Sequence, residues 1–235
     1  MNIGGFVPFT TIDFPDKISA VVFCQGCPFR CPFCHNHSLQ VVGAPGMENW
    51  SDILQVLSKR RNLLDGVVFS GGEPLWQDDI LDAVKQVKDM GFAVALHTSG
   101  VRPDVLKTLL PFVDWIGLDV KAPLAKYAQA SGTQPAFKAG DKMWESLALI
   151  QQAGVPFETR TTTDPRLLSK EDILQMAEQL KEKGVQTYVL QEYRPISDGN
   201  GEPSSAQISA FYTDKAFLDK LQNLFPHFSV RRAHE

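Results

Sequence analysis

All four cysteines of the 235-residue chain lie between Cys24 and Cys34, in the stretch Cys24-Gln25-Gly26-Cys27-Pro28-Phe29-Arg30-Cys31-Pro32-Phe33-Cys34. No other position supplies a thiolate. Two inorganic readings compete. Four thiolates spaced this closely can close a tetrahedral zinc site, which needs no open position. Alternatively, Cys27, Cys31 and Cys34 (C-x3-C-x2-C) hold three irons of a four-iron cluster. Such clusters usually take four thiolates, so three ligands leave one iron open to a substrate or cofactor. Disulfides are the weaker reading, because cysteines confined to one loop and missing elsewhere fit a reducing compartment. The loop alone does not choose between zinc and cluster.

The elements that must position this loop read as a repeating strand, polar turn and helix. Ile18 to Phe23 is a short β-branched run that delivers the chain into the cysteines. Further buried strands are read at Gly66–Ser70, Phe92–Leu96, Val113–Val120, Val155–Thr163 and Gln186–Tyr193. Amphipathic helices separate them, with glycines such as Gly91, Gly154 and Gly184 at their ends. A helix from Asn49 or Ser51 to about Leu64 and a final one from Ala206 to Leu224 are also expected. About six strand–helix units argue for an α/β fold of parallel strands with outer helices. No linker divides the chain, so residues 1–235 read as one domain, with a core of about 18–193 and a C-terminal helical extension of about 205–235. At this length folding buries roughly 70% of the unfolded surface, enough for a core without staples.

Composition excludes several classes. The chain is 43% hydrophobic and 21% charged, ordinary for a globular protein. A net charge of −4 gives no reason to expect nucleic acid as a partner. No apolar run approaches the ~20 residues of a membrane span, and the N-terminal stretch does not have the form of a secretory signal, so a cytoplasmic location is expected.

In parallel α/β folds, sites form at the carboxyl ends of strands. The unusual polar residues fall there: Gly71-Gly72-Glu73 after the second strand, Thr98 after the third, Asp119 and Lys121 after the fourth, Arg160 on the fifth and Gln191 on the sixth. Each has a bland reading. Two glycines suit any tight turn, and Glu73 before Pro74 suits a solvated one. Asp119 and Lys121 suit a surface pair of little worth. His97 reads best as a packed core histidine, and a structural role for His35 and His37 is as good as a ligand role. Arg160 is harder to dismiss, because a buried guanidinium needs anionic partners. Taken together, the residues describe a pocket with a metal site, a backbone turn, a carboxylate and two cations. That suits a zwitterionic, nucleoside-bearing ligand better than a zinc ribbon, which has no use for five further strands.

These motifs resemble the radical S-adenosylmethionine (SAM) superfamily. Cys27-x3-Cys31-x2-Cys34 with Phe33 is similar to its cluster motif, and Gly71-Gly72-Glu73-Pro74 to its methionine-binding turn. Cys34-His35-Asn36, Thr11-Ile12-Asp13-Phe14-Pro15 and Leu118-Asp119-Val120-Lys121 resemble the activating enzymes of glycyl-radical enzymes. His97-Thr98-Ser99-Gly100, Glu158-Thr159-Arg160-Thr161-Thr162 and Leu190-Gln191-Glu192-Tyr193-Arg194-Pro195 look most like the long form of the anaerobic ribonucleoside-triphosphate reductase activators. The resemblance implies a partial (β/α)6 barrel and an enzyme with two cofactors, a [4Fe-4S] cluster and S-adenosylmethionine. Cys27, Cys31 and Cys34 would ligate the cluster, and Cys24 would be a buried bystander. Phe33 would lie against adenine, and Gly71, Gly72 and Glu73 would hold the methionine ammonium. Thr98, Asp119, Lys121 and Arg160 would hold carboxylate and ribose, with Gln191 beside the nucleoside. No acid–base catalytic residue is expected. The activity implied is reductive cleavage of the cofactor to a 5′-deoxyadenosyl radical, which makes a glycyl radical on a partner enzyme. A flavodoxin or ferredoxin would supply the electron. The Pro/Gly-rich loop Ile196–Ser204 is a candidate docking element. Formate-lyase-type activators tend to carry an acid where His97 stands, and it can help bind a monovalent cation, so that cation site is in doubt here. The competing expectations are an activator of a formate-lyase-type enzyme, a small-molecule enzyme such as a 7-carboxy-7-deazaguanine synthase, and a zinc-binding interaction module.

Overall fold

The computed structural model describes residues 1–196 and 201–232. In chain order its elements are β1 (Ile3–Thr10), β2 (Ser19–Cys24), α1 (Trp50–Ser58), β3 (Gly66–Gly71), α2 (Ile80–Asp89), β4 (Ala93–Thr98), α3 (Pro103–Leu109) and β5 (Trp115–Asp119). There follow α4 (Leu124–Ser131), α5 (Ala139–Ala153), β6 (Phe157–Thr163), α6 (Lys170–Glu182), β7 (Thr187–Glu192), α7 (Ser205–Thr213), α8 (Lys215–Leu224) and β8 (His227–Arg231). The chain divides into two compact units. One comprises Met1–Phe29, Asn36–Leu118 and Lys142–Phe157, and the other Arg30–His35, Asp119–Asp141 and Glu158–Glu235.

In the first unit β2, β3, β4 and β5 pair in parallel and in chain order, and β1 pairs antiparallel to β2. Register places Val21 opposite Val68, Val68 opposite Ala95 and Ala95 opposite Trp115. These four form a buried row on one sheet face, and Phe14 from the β1–β2 connection closes it. Side chains alternate along a strand, so the opposite face carries Ala20, Val22, Val67, Phe69, Val94, Leu96, Ile116 and Leu118, all fully buried. Burial on both faces explains why these strands read as continuous apolar runs. In the second unit β6, β7 and β8 are parallel and in order. Ile173, Met176, Ala177 and Leu180 of α6 are buried, and Tyr188 of β7 packs against Phe225, ring centroids 4.9 Å apart.

The α/β architecture with parallel strands and intervening helices is as expected. Five details differ. Strand β1 was not anticipated, because its Gly4, Gly5 and Pro8 carry poor β propensity. The apolar end at Phe228–Val230 is a paired strand, β8. The expected helix at 206–224 is two, since Asp214 caps α8 by accepting from the Phe217 N–H. Helix α4 was not foreseen, and α1 ends at Ser58 rather than near Leu64. Among the described residues no helix is long and apolar enough to cross a membrane. Positions 197–200 of the candidate docking loop and 233–235 of the C-terminal extension lie outside the described residues.

Candidate active site

In the first unit β2 ends at Cys24 opposite Gly71, the last residue of β3. The two chains stay bonded beyond the strands. Gly72 N–H donates to Cys24 O (2.8 Å), and Glu73 N–H to Gly26 O (3.0 Å). Gly26 N–H in turn donates to Leu39 O (2.8 Å) and Cys27 N–H to Gln40 O (3.2 Å). The Gly71–Glu73 turn therefore lies on the backbone leading into the cysteines. Glycine is required for this approach. Gly71 has φ +102°, and a Cβ there would sit 2.5 Å from Cys24 N; one on Gly72 would sit 2.4 Å from Gly26 O.

Glu73 is buried, and both carboxylate oxygens are occupied. Oε1 accepts from the Thr98 hydroxyl (2.5 Å) and Leu75 N–H (3.1 Å), and Oε2 from Ser99 N–H (2.9 Å) and the Ser99 hydroxyl (2.5 Å). Burial pushes the Glu73 pKa up, and the bonds from Ser99, Thr98 and Leu75 pull against it. The solvated-turn reading of Glu73 is thus excluded, and the carboxylate joins the turn after β3 to the turn after β4. Thr98 also accepts from Gly100 N–H at 3.0 Å. Ser99, not singled out in the sequence, supplies two of the four donors. Its position next to Thr98 was the available signal.

Cys24 is fully buried, and burial drives its thiol pKa far up. His97 is built into the first unit. Its Nε2 lies 2.8 Å from Asp13 O, and its ring meets Trp115 edge-on at 5.8 Å. That is the packed histidine expected from the sequence.

The cysteines are not in disulfides. Cys27 and Cys31 are buried, Cys34 partly so, and Phe29 N–H points at the Cys27 sulfur (3.4 Å). In the second unit Cys34 N–H donates to Cys31 O (3.1 Å), turning the chain between the two thiols. Arg30 N–H donates to Ser131 O at the end of α4 (2.8 Å), and Gly132 approaches so closely that a Cβ would be 2.2 Å from Arg30 O. Burial raises the Cys31 pKa, while the Lys121 ammonium favours the thiolate. Among the described residues no three His, Cys, Asp or Glu side chains are gathered to hold a single metal ion. An iron–sulfur cluster asks for a different arrangement, since each thiolate binds its own iron. Buried, unbridged thiols with a backbone N–H aimed at one sulfur fit that donor set. His35 and His37 are exposed.

The remaining expected residues belong to the second unit. Lys121 Nζ is 3.3 Å from Asp119 and 5.8 Å from the centroid of the buried Phe33 ring. Arg160 is buried, and its Nε donates to Glu158 at 2.5 Å. Glu158 Oε1 also accepts from Arg231 of β8 at 3.2 Å. Gln191 on β7 stands opposite Thr162 on one side and Arg231 on the other. Glu158 was legible as the residue two before Arg160, on the same strand face. Arg231 was not, because β8 was not read as a strand.

Residues 21–163 match the family described as the Radical SAM superfamily. Over 200 residues the chain is 32% identical to a Methanocaldococcus jannaschii protein carrying the provisional name glycyl-radical enzyme activating enzyme MJ1227, covering 82% of this chain and 80% of the relative. Over 171 residues it is 30% identical to the pyruvate formate-lyase-activating enzyme of Clostridium pasteurianum, covering 70% of each. Among solved structures, Streptococcus suis SuiB bound to S-adenosylmethionine superposes with a TM-score of 0.67 at 13% identity, covering 88% of this chain. The chain spans about half of that protein (48%), so the likeness is one of fold alone. With the superfamily match running through the cysteine motif, the glycine turn and most of the strands, the chain belongs to the radical SAM superfamily, whose enzymes work with a [4Fe-4S] cluster and S-adenosylmethionine.

Proposed function

We propose that this enzyme generates a glycyl radical on a partner enzyme, and that the partner is an anaerobic ribonucleoside-triphosphate reductase. One observation carries the chemistry. The Gly71–Glu73 turn is hydrogen-bonded along the backbone entering the cysteine motif, with glycines where any side chain would clash. A turn so placed offers main-chain carbonyls to a ligand ammonium beside the start of the cluster loop. The two relatives named as activating enzymes support the glycyl-radical assignment. The segments after β4, on β6 and after β7 support the reductase as partner.

In this reading Cys27, Cys31 and Cys34 would hold the [4Fe-4S] cluster, which would supply the electron for cleaving the bound cofactor. Gly71, Gly72 and the Glu73 backbone receive the ammonium, while the Glu73 carboxylate, its oxygens already taken, keeps Thr98 and Ser99 in place. Lys121 and Arg160 would serve the carboxylate, Asp119 and Thr98 the ribose, Phe33 the adenine and Gln191 the nucleoside. One-electron cleavage of S-adenosylmethionine and abstraction of a glycine Cα hydrogen are what the bound groups supply. The residues fix geometry and exclude side reactions rather than transfer protons. A flavodoxin or ferredoxin supplies the electron. Unbridged thiols and an iron–sulfur cluster suit a reducing cytoplasm, where we place the protein.

The test is electron paramagnetic resonance on the anaerobically reduced enzyme, mixed with S-adenosylmethionine and the reductase. A glycyl-radical doublet supports the reading. The Clostridium relative favours a second partner, a formate-lyase-type enzyme, which is offered in parallel. A doublet only there moves the partner assignment. Cofactor cleavage with no radical on either protein overturns glycyl-radical activation.

A further inference from the structure

We infer that Glu158 is a positioning residue for Arg160, tethered in turn by Arg231. This rests on the proposal that Arg160 binds the cofactor's carboxylate. Glu158 and Arg160 are two apart on β6, so their side chains leave the same face of the strand. Both are buried, and the bond between them, Arg160 Nε to Glu158 Oε1, is short at 2.5 Å. A guanidinium is a planar fork with donors on more than one edge. Glu158 engages the Nε edge, and that contact restrains the plane in which the terminal nitrogens point. Arg231, entering from β8, donates its own terminal nitrogen to the same Oε1 at 3.2 Å. One carboxylate thus lies under two cations, so it neither swings away nor neutralises Arg160 alone.

Two electrostatic effects oppose each other. Glu158 lowers the positive potential felt by a ligand carboxylate, so its removal would strengthen binding if net charge governed. Removal also takes away the contact on the Nε edge that orients the Arg160 guanidinium, which would weaken binding. The short bond, the burial and the second tether make orientation the larger effect. A hydrogen bond to a charged group is worth enough to expect about tenfold weaker S-adenosylmethionine binding in Glu158→Gln.

The experiment uses the anaerobically reconstituted full-length enzyme and equilibrium dialysis with two probes, S-adenosylmethionine and 5′-deoxyadenosine. The second lacks the carboxylate. Glu158→Gln is expected to lose about tenfold for S-adenosylmethionine and nothing for 5′-deoxyadenosine, with iron content unchanged. Equal loss for both probes makes Glu158 merely structural and overturns the inference, as does tighter S-adenosylmethionine binding. Arg160→Ala separates this failure from failure of the underlying proposal. If Arg160→Ala weakens S-adenosylmethionine and Glu158→Gln does not, only the positioning role falls. If Arg160→Ala has no effect, the carboxylate assignment falls with it. Should Glu158→Gln not fold, Arg231→Ala on the half-exposed β8 carries the test. A loss confined to S-adenosylmethionine supports the tether, and no loss overturns it.

Discussion

Replacing Glu73 by glutamine removes one charge and almost no volume, yet the arrangement of donors makes it a severe change. The four donors are divided two and two between the carboxylate oxygens, with one backbone N–H on each: Leu75 on Oε1 and Ser99 on Oε2. An amide has one oxygen and one NH2, so either orientation sets an NH2 against a backbone N–H that cannot turn away. The Ser99 and Thr98 hydroxyls can rotate to accept, but the backbone N–H groups of Leu75 and Ser99 have no such freedom. An unsatisfied buried donor costs about 1–3 kcal/mol, and the surviving bonds each drop from charged to neutral strength, a further ~1 kcal/mol apiece. Relief from burying a charge subtracts part of this, because a buried carboxylate bears a desolvation penalty that an amide does not. The net expectation is about 3 kcal/mol of destabilisation. For a chain of this size that lowers Tm by about 6–12 °C. The assay is thermal and urea unfolding of the cluster-free protein under anaerobic conditions, wild type beside Glu73→Gln. A Tm within about 2 °C of wild type would refute the reasoning, since the four bonds would then be worth no more than an amide's.

Other substitutions test the remaining geometry. Gly72→Ala places a Cβ 2.4 Å from Gly26 O, whereas Gly91→Ala meets nothing within 4 Å and carries only the strain of φ +90°. Unfolding should therefore show about 1 kcal/mol lost at Gly91 and clearly more at Gly72, with reconstituted iron falling only for the latter. Alanine at Cys27, Cys31 or Cys34 should abolish the broad iron–sulfur absorbance after reconstitution, while Cys24→Ala retains it; loss at Cys24 would make it a ligand. Iodoacetamide and mass spectrometry should find Cys34 modified before the fully buried Cys24. At Asp172 burial pushes the carboxyl pKa up, but the bonds from Lys126 and Ser169 outweigh it and hold the pKa below the usual value. A depressed carboxyl stabilises above the unfolded pKa and loses that contribution as pH falls through the folded one. Asp172→Ala should thus cost about 1 kcal/mol at neutral pH, and the gap to wild type in urea midpoints should close as pH drops below the ordinary carboxylate range.

The sequence disclosed the parallel strands themselves because β2 to β7 are either buried on both faces or rich in β-branched residues. Such runs carry their own period and length. It disclosed the cysteines and the Gly71–Glu73 turn because glycine and cysteine are chosen there for reasons no other residue meets. It did not disclose who partners whom. A solvated-turn reading of Glu73 stayed open because nothing local announces that Thr98 and Ser99, 25 and 26 positions later, donate to it. Strand β1 escaped because it is an edge strand whose pairing with β2, not its composition, makes it a strand. The break at Asp214 escaped because the apolar pattern runs on through it, and only the capping bond to Phe217 N–H shows two helices. Periodicity reports burial, while hydrogen-bond partners depend on contacts distant in sequence.

The Arg160–Glu158–Arg231 group also has an order of assembly. Arg160 and Glu158 are two residues apart and meet as soon as β6 forms. Arg231 is 73 residues from Glu158, so its bond waits on the closure of a long loop and the pairing of β7 with β8. Late, half-exposed strands are among the first to open in native-state fluctuations. Each excursion of β8 would release Arg231 and leave Glu158 shared with no second cation. Amide exchange at residues 227–231 would then report how often Glu158 loses its Arg231 tether, well before the molecule as a whole unfolds.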